Sequence, residues 1–189
     1  MASPFLYFAD DRLSRAELSA ACLDGDLVEL GEAYIPADAV ETAALRAGSL
    51  ARTLGDTLAA THLTAAWIHG ALPLPPSRHT VQRGVARRLH VIPHRRLVYR
   101  DLAIPPGDLQ LVGGVRVTSP VRTMIDLSRV DDGDHARAAR LLAATHAGTV
   151  ADAIAALDAG VLPHKRRALA FLRELMVRSA QDDVTRYTS

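Results

Sequence analysis

The sequence is poor in the residues that mark specialised chemistry. It has one cysteine, Cys22, so an internal disulfide framework and a multi-cysteine zinc site are both excluded, and a reducing cytosol is the expected compartment. Aromatic residues make up 4% of the chain, so a core must be built mainly from Ala, Leu and Val. No uncharged apolar run approaches the ~20 residues that a membrane span requires. No secretory leader is expected either, since Phe5–Phe8 is too short for its apolar region and Asp10 and Asp11 follow at once. Lysine occurs once, at Lys165, with no acid within six residues, which removes the carboxylate–lysine grouping of a metal-dependent nuclease. Phosphate-cradling glycine loops, G-x-S-x-G elbows and Cys–His pairs are missing too. His90 and His94 are four apart, but Pro93 keeps the segment extended and no third ligand stands near. Catalysis is therefore disfavoured, and neither cofactor nor metal is expected.

Charge is present, and it is unevenly placed. Residues 1–77 hold ten acids against four arginines, a net of −6, and residues 78–189 hold eighteen cations against eleven acids, a net of +7. The basic half opens with Arg78, Arg83, Arg87, Arg88, Arg95, Arg96 and Arg100, and no acid falls between Asp56 and Asp101. Seven guanidiniums in 23 residues suit nucleic-acid phosphates, an acidic protein surface, or the chain's own acidic half. A second basic group, Lys165, Arg166 and Arg167, opens the last helix at the unfavourable end of its dipole.

The local patterns predict an α+β fold. Ser14 and Glu17 form an S-x-x-E capping box, and Leu27–Ile35 reads as a hairpin turning at Gly31. Asp38 with Glu41 repeats the box and predicts a helix to about Thr53. Thr61 or Thr64 caps a short apolar helix containing Trp67, with His62 and His69 as interior or boundary histidines. The Pro-rich run Leu72–Pro76 is a stiff connector at which the charge changes sign. Strands are expected at Leu89–Pro93 and Leu97–Ile104, then a hairpin about Gly113-Gly114. Ser119-Pro120 starts a helix to Ser128, on which Arg122 and Asp126 pair at i, i+4. Helices over about 135–147, from a Thr149 cap to Asp158, and from Pro163 to about Ala180 complete the chain. These signals divide it into residues 1–72, a connector at 73–77, and residues 78–189. The helix–hairpin at 14–36 has the outline of a winged-helix fragment, but its acids outnumber Arg12 and Arg15, which disfavours DNA reading by that region.

The run Val115-Arg116-Val117-Thr118-Ser119-Pro120-Val121-Arg122-Thr123-Met124-Ile125-Asp126-Leu127 resembles an element of AbiEi-type antitoxins of type IV toxin–antitoxin systems. Trp67–Pro76 and Pro105–Asp108 resemble the same relatives, and the similarity covers about residues 14–175. The resemblance implies a degenerate winged-helix-like N-terminal part followed by a small mixed sheet with C-terminal helices. It also implies neutralisation of a cognate nucleotidyltransferase-like toxin and autoregulation through promoter DNA, while the lone cysteine and the lack of a leader or membrane span lead to the expectation of a cytoplasmic location. The same element occurs in proteins carrying a very-short-patch-repair-like nuclease domain, so a non-catalytic scaffold relative of those proteins is the alternative expectation.

Overall fold

The computed structural model describes residues 4–89 and 95–186, with side chains to 178. Among the described residues the fold is α+β, with eight α-helices and seven strands. The capping box forms as predicted: Ser14 Oγ accepts from the Glu17 amide at 3.3 Å, and the Glu17 carboxylate accepts from the Ser14 amide at 2.8 Å. It opens α1 (Arg15–Leu23), which leads into the antiparallel hairpin of β1 (Leu27–Leu30) and β2 (Ala33–Pro36). Gly31 takes φ +59° in that turn, and a side chain there would collide with Ser49 and Trp67. Tyr7 and Tyr34 exchange backbone hydrogen bonds at 2.9 and 2.8 Å, which lays the N-terminal segment along β2.

The Asp38–Glu41 box does not form. Thr42 caps α2 (Ala43–Ser49) by accepting from the Leu45 amide at 3.2 Å, and Glu41 pairs with Arg46 at 2.6 Å instead. The helix breaks at Leu50, and α3 (Ala51–Leu54) is a separate turn. Ser49 contributes to the break by bonding back to the Arg46 carbonyl at 2.7 Å.

A five-stranded sheet organises the rest, in the order β5-β4-β3-β7-β6. Its strands are β3 (Leu58–Ala60), β4 (His79–Arg83), β5 (Leu97–Ala103), β6 (Leu109–Val112) and β7 (Val115–Thr118). Beyond β3, α4 (His62–Ile68) starts at Thr61. That threonine hydroxyl is spent on the Thr80 carbonyl rather than on a helix cap. Strand β3 lies between β4 and β7, so residues on both sides of the Leu72–Pro76 connector share one sheet. They also share one core, in which Leu6, Ile35 and Trp67 join Val81, Leu97 and Val117. A second core gathers Ala66 of α4 with α5 (Pro120–Ser128), α6 (Gly133–Thr145), α7 (Thr149–Ala159) and α8 (Lys165–Arg186). Arg46 joins α2 to the end of α4, donating to the Trp67 and Leu72 carbonyls at 2.6 and 2.9 Å.

Several boundaries differ from expectation. Strands β3 and β4 appear where none is predicted. Leu89 lies outside any strand, and the remainder of the expected Leu89–Pro93 strand falls outside the described residues. Helix α6 starts earlier because Asp132 caps it, α7 begins after Gly148 in the left-handed region, and α8 starts at Lys165 and continues to Arg186. The Gly113-Gly114 hairpin and the Ser119-Pro120 helix start form as predicted, with Ser119 Oγ accepting from the Arg122 amide. At Gly113 (φ +53°) a side chain would meet the Ala44 carbonyl, so the turn packs directly on α2. No helix among the described residues is long and apolar enough to cross a membrane.

Candidate functional site

The basic stretch runs from Arg78, just before β4, through β4 and the following connection to β5, at one edge of the sheet. Four of its seven arginines are engaged within the protein. Arg78 donates to the Leu97 carbonyl at 2.9 Å. Arg83 lies 3.2 Å from Asp101 and also donates to the Ala86 carbonyl. Arg96 pairs with Glu32 of the β1–β2 turn at 2.7 Å, and Arg100 Nη1 is 3.2 Å from His62 Nε2. Arg87, Arg88 and Arg95 are exposed and have no ion pair or hydrogen bond with the described residues. Because β4 and β5 are parallel, the end of β4 and the start of β5 lie at opposite ends of the sheet. Arg87 and Arg88 therefore follow the end of β4, whereas Arg95 precedes β5, and Leu89 packs on the core between them. His90, Pro93 and His94 lie outside the described residues.

The second basic group is largely used internally. Lys165 Nζ donates to the Asp158 and Gly160 carbonyls, each at 3.0 Å, so its charge neutralises the carboxyl end of α7. That contact accounts for a lysine at the unfavourable end of α8. Arg167 pairs with Asp131, and Arg166 is exposed without a partner among the described residues. These three sit on α8, which packs on α5 and α7 rather than on the arginine-bearing sheet edge. The structure does not merge the two basic groups into one patch.

The run around Ser119 makes a buried polar junction. Arg122 bonds to Asp108 at 2.6 Å and Asp126 at 3.0 Å, and Arg129 approaches Asp126 at 3.4 Å. Asp126 is 1% exposed, and burial pushes its carboxyl up despite both guanidiniums. Desolvation opposes the Arg122 charge, yet the carboxylates of Asp126 and Asp108 outweigh it and hold the guanidinium firmly protonated. The arrangement fastens the 3-10 turn Pro106–Asp108 to α5, which is a positioning role.

His62 is the polar residue whose place the sequence least foretells. It opens α4 with φ +51°, a left-handed conformation uncommon for a side chain of this size. Its Nδ1 lies 2.9 Å from Thr61 Oγ1, its Nε2 faces Arg100, and its ring meets His135 edge-on at 5.9 Å. Burial, with Arg100, His135, Arg129 and Arg122 around it, lowers its pKa to about 3. The ring is thus neutral, with Nδ1 protonated so that Nε2 can accept from Arg100. His69 is likewise lowered by burial, and it bonds the Thr118 carbonyl at 2.7 Å. Only a histidine beside a helix-starting threonine was visible beforehand, and that signal does not announce Arg100 as a partner.

Among the described residues no group of three His, Cys, Asp or Glu side chains is placed to hold a metal ion. Of the basic residues singled out in the sequence, Arg87, Arg88, Arg95 and Arg166 have no ion pair or hydrogen bond among the described residues. Residues 58–159, from β3 to the end of α7, match the family described as the AbiEi antitoxin C-terminal domain. No curated protein matches the chain.

Proposed function

The chain belongs to the AbiEi antitoxin family, and from that premise we propose that it neutralises a cognate toxin by contact, with no chemistry of its own. The toxin is nucleotidyltransferase-like by the resemblance of the Val115–Leu127 run. The observation that supports contact is the set of unpaired arginines Arg87, Arg88 and Arg95. Exposed guanidiniums without partners among the described residues are available to an acidic surface, whereas Arg78, Arg83, Arg96 and Arg100 are held by the fold.

The same three arginines support a second reading, autoregulation through promoter DNA, because each can neutralise one phosphate. The helix–hairpin at 14–36 adds little to it, since its outward charges are mainly acidic. Co-expression with the neighbouring gene product tests the first reading: growth is restored and the two proteins co-purify. Growth arrest unrelieved by this chain sinks it. Retention of promoter DNA at low salt tests the second.

A further inference from the structure

Val85 and Ala86, which immediately precede Arg87 and Arg88 in the chain, line a cavity of about 650 Å³. Its walls are apolar: Val85 and Ala86 from the loop after β4, Ile104 and Pro106 from the strap leaving β5, and Leu109 and Leu111 of β6. Arg116 is the charged residue of the lining, and its guanidinium is anchored on the Asp56 carbonyl. Leu111 is 71% exposed, on a strand that ends the sheet. An edge strand with an exposed leucine is unfavourable to leave bare.

The arginines alone leave a protein and a nucleic acid equally acceptable. The cavity separates them. Phosphate contact is made by cations, hydroxyls and backbone amides, and it gains nothing from a largely apolar hollow. A protein segment gains from both, seating an apolar side chain in the hollow with carboxylates on the guanidiniums at its rim. The edge of β6 also offers unpaired main-chain groups to an extended chain. Asp101 is already committed to Arg83, so Arg87 and Arg88 are the free cations at this end of the sheet among the described residues, where the Asp56 carboxylate is also exposed.

We propose that the Val85–Ile104–Leu111 groove, with Arg87 and Arg88 at its rim, docks an extended acidic segment of a partner protein that carries a large aliphatic or aromatic side chain. The inference rests on the contact reading above and names the chemistry of what is contacted. It makes the groove a recognition site for sequence features of a protein, with nucleic acid excluded from it.

The test uses the full chain and fluorescein-labelled synthetic peptides, read by anisotropy. One peptide alternates Glu with Leu and Trp, a second replaces Glu by Lys, and a third replaces the apolar residues by Ser. A random DNA duplex is the fourth probe. The acidic–apolar peptide binds, and both other peptides bind about tenfold more weakly or worse. Leu111→Asp weakens the acidic–apolar peptide by about tenfold and leaves the duplex unchanged, and Arg87→Glu/Arg88→Glu weakens it similarly. Leu111 is exposed, so its variant keeps the parent melting temperature, which is checked in parallel. Equal binding of the acidic–apolar peptide to wild type and Leu111→Asp overturns the proposal, as does binding of the duplex alone. Growth rescue by the wild-type chain together with failure of every peptide rejects the groove and leaves the antitoxin reading standing. Absence of rescue rejects that reading on its own.

Discussion

Arg96 Nη1 stands 2.7 Å from Glu32 Oε2, which ties the start of β5 to the turn of the β1–β2 hairpin. The pair joins the basic half of the chain to its acidic half, and the same carboxylate lies 3.7 Å from His79. Glu32 raises the Arg96 pKa through its hydrogen bond, so the guanidinium is firmly charged. Of the seven clustered arginines, this one is directed at the acidic hairpin.

Loss of that tie has a small energetic effect. Arg96 is 57% exposed, and solvent-screened pairs contribute roughly 0.2–1 kcal/mol. Glu32→Ala should lower the denaturation midpoint slightly, within that range. A loss several times larger would show that Glu32 positions the hairpin through His79 as well.

The buried junction on α5 behaves differently. Removing the Asp126 carboxylate leaves Arg122 and Arg129 short of a partner in a dry environment, at a cost of about 3–5 kcal/mol. Asp126→Ala should show this in urea denaturation. The Arg122→Ala/Asp126→Ala double variant should lose clearly less than the sum of the singles, since the two groups share one interaction. Additive losses would contradict the pairing.

Acid should weaken the fold through His62. Its imidazole stays neutral in the folded chain down to about 3, whereas the unfolded chain takes up the proton near 6.5. The unfolded state therefore binds more protons in that window, and stability falls as pH drops through 6.5, levelling off near 3. The effect is on the order of a few kcal/mol, and His69 and His79 act in the same direction. His62→Asn, which tolerates the left-handed backbone, should flatten the slope between those limits. An unchanged slope would assign the acid sensitivity elsewhere.

DNA retention should be weak and only mildly salt-dependent. With Arg87, Arg88 and Arg95 as the free cations of the stretch, the slope of log K against log salt is no steeper than about −3, at −0.9 per phosphate. A slope near −6 would mean that Arg78, Arg83, Arg96 and Arg100 leave their internal partners to meet DNA.

Much of this architecture was legible from local chemistry. Ser14 with Glu17, Gly113 with Gly114, and Ser119 before Pro120 each impose a backbone geometry that short-range hydrogen bonding enforces, and all three form. The Arg122–Asp126 pair follows from helical spacing alone. Strands β3 and β4 were not legible, because three residues of Leu-Ala-Ala carry no alternation and β4 buries His79, Thr80 and Gln82. The Thr80 amide is satisfied by a tertiary contact, on Thr64 Oγ1 at 2.9 Å, whereas His79 Nδ1 and Gln82 Oε1 are buried without a hydrogen-bond partner among the described residues. The candidate site was legible as a list of arginines but not as a surface. Which guanidiniums are spent on Glu32, Asp101 or His62 depends on strand order, and so does the apolar groove beside Arg87 and Arg88.

By the proposed mode of action, Arg87, Arg88 and Arg95, which have no partner among the described residues, make the contact with the toxin. Charge reversal at Arg87, Arg88 and Arg95 to Glu, introduced into the full chain and co-expressed with the toxin of the neighbouring gene, tests it most directly. These side chains have no ion pair or hydrogen bond among the described residues, so the variant should fold with the wild-type melting temperature. It should fail to restore growth and fail to co-purify with the toxin. Growth restored as fully as by the wild-type chain would contradict the account.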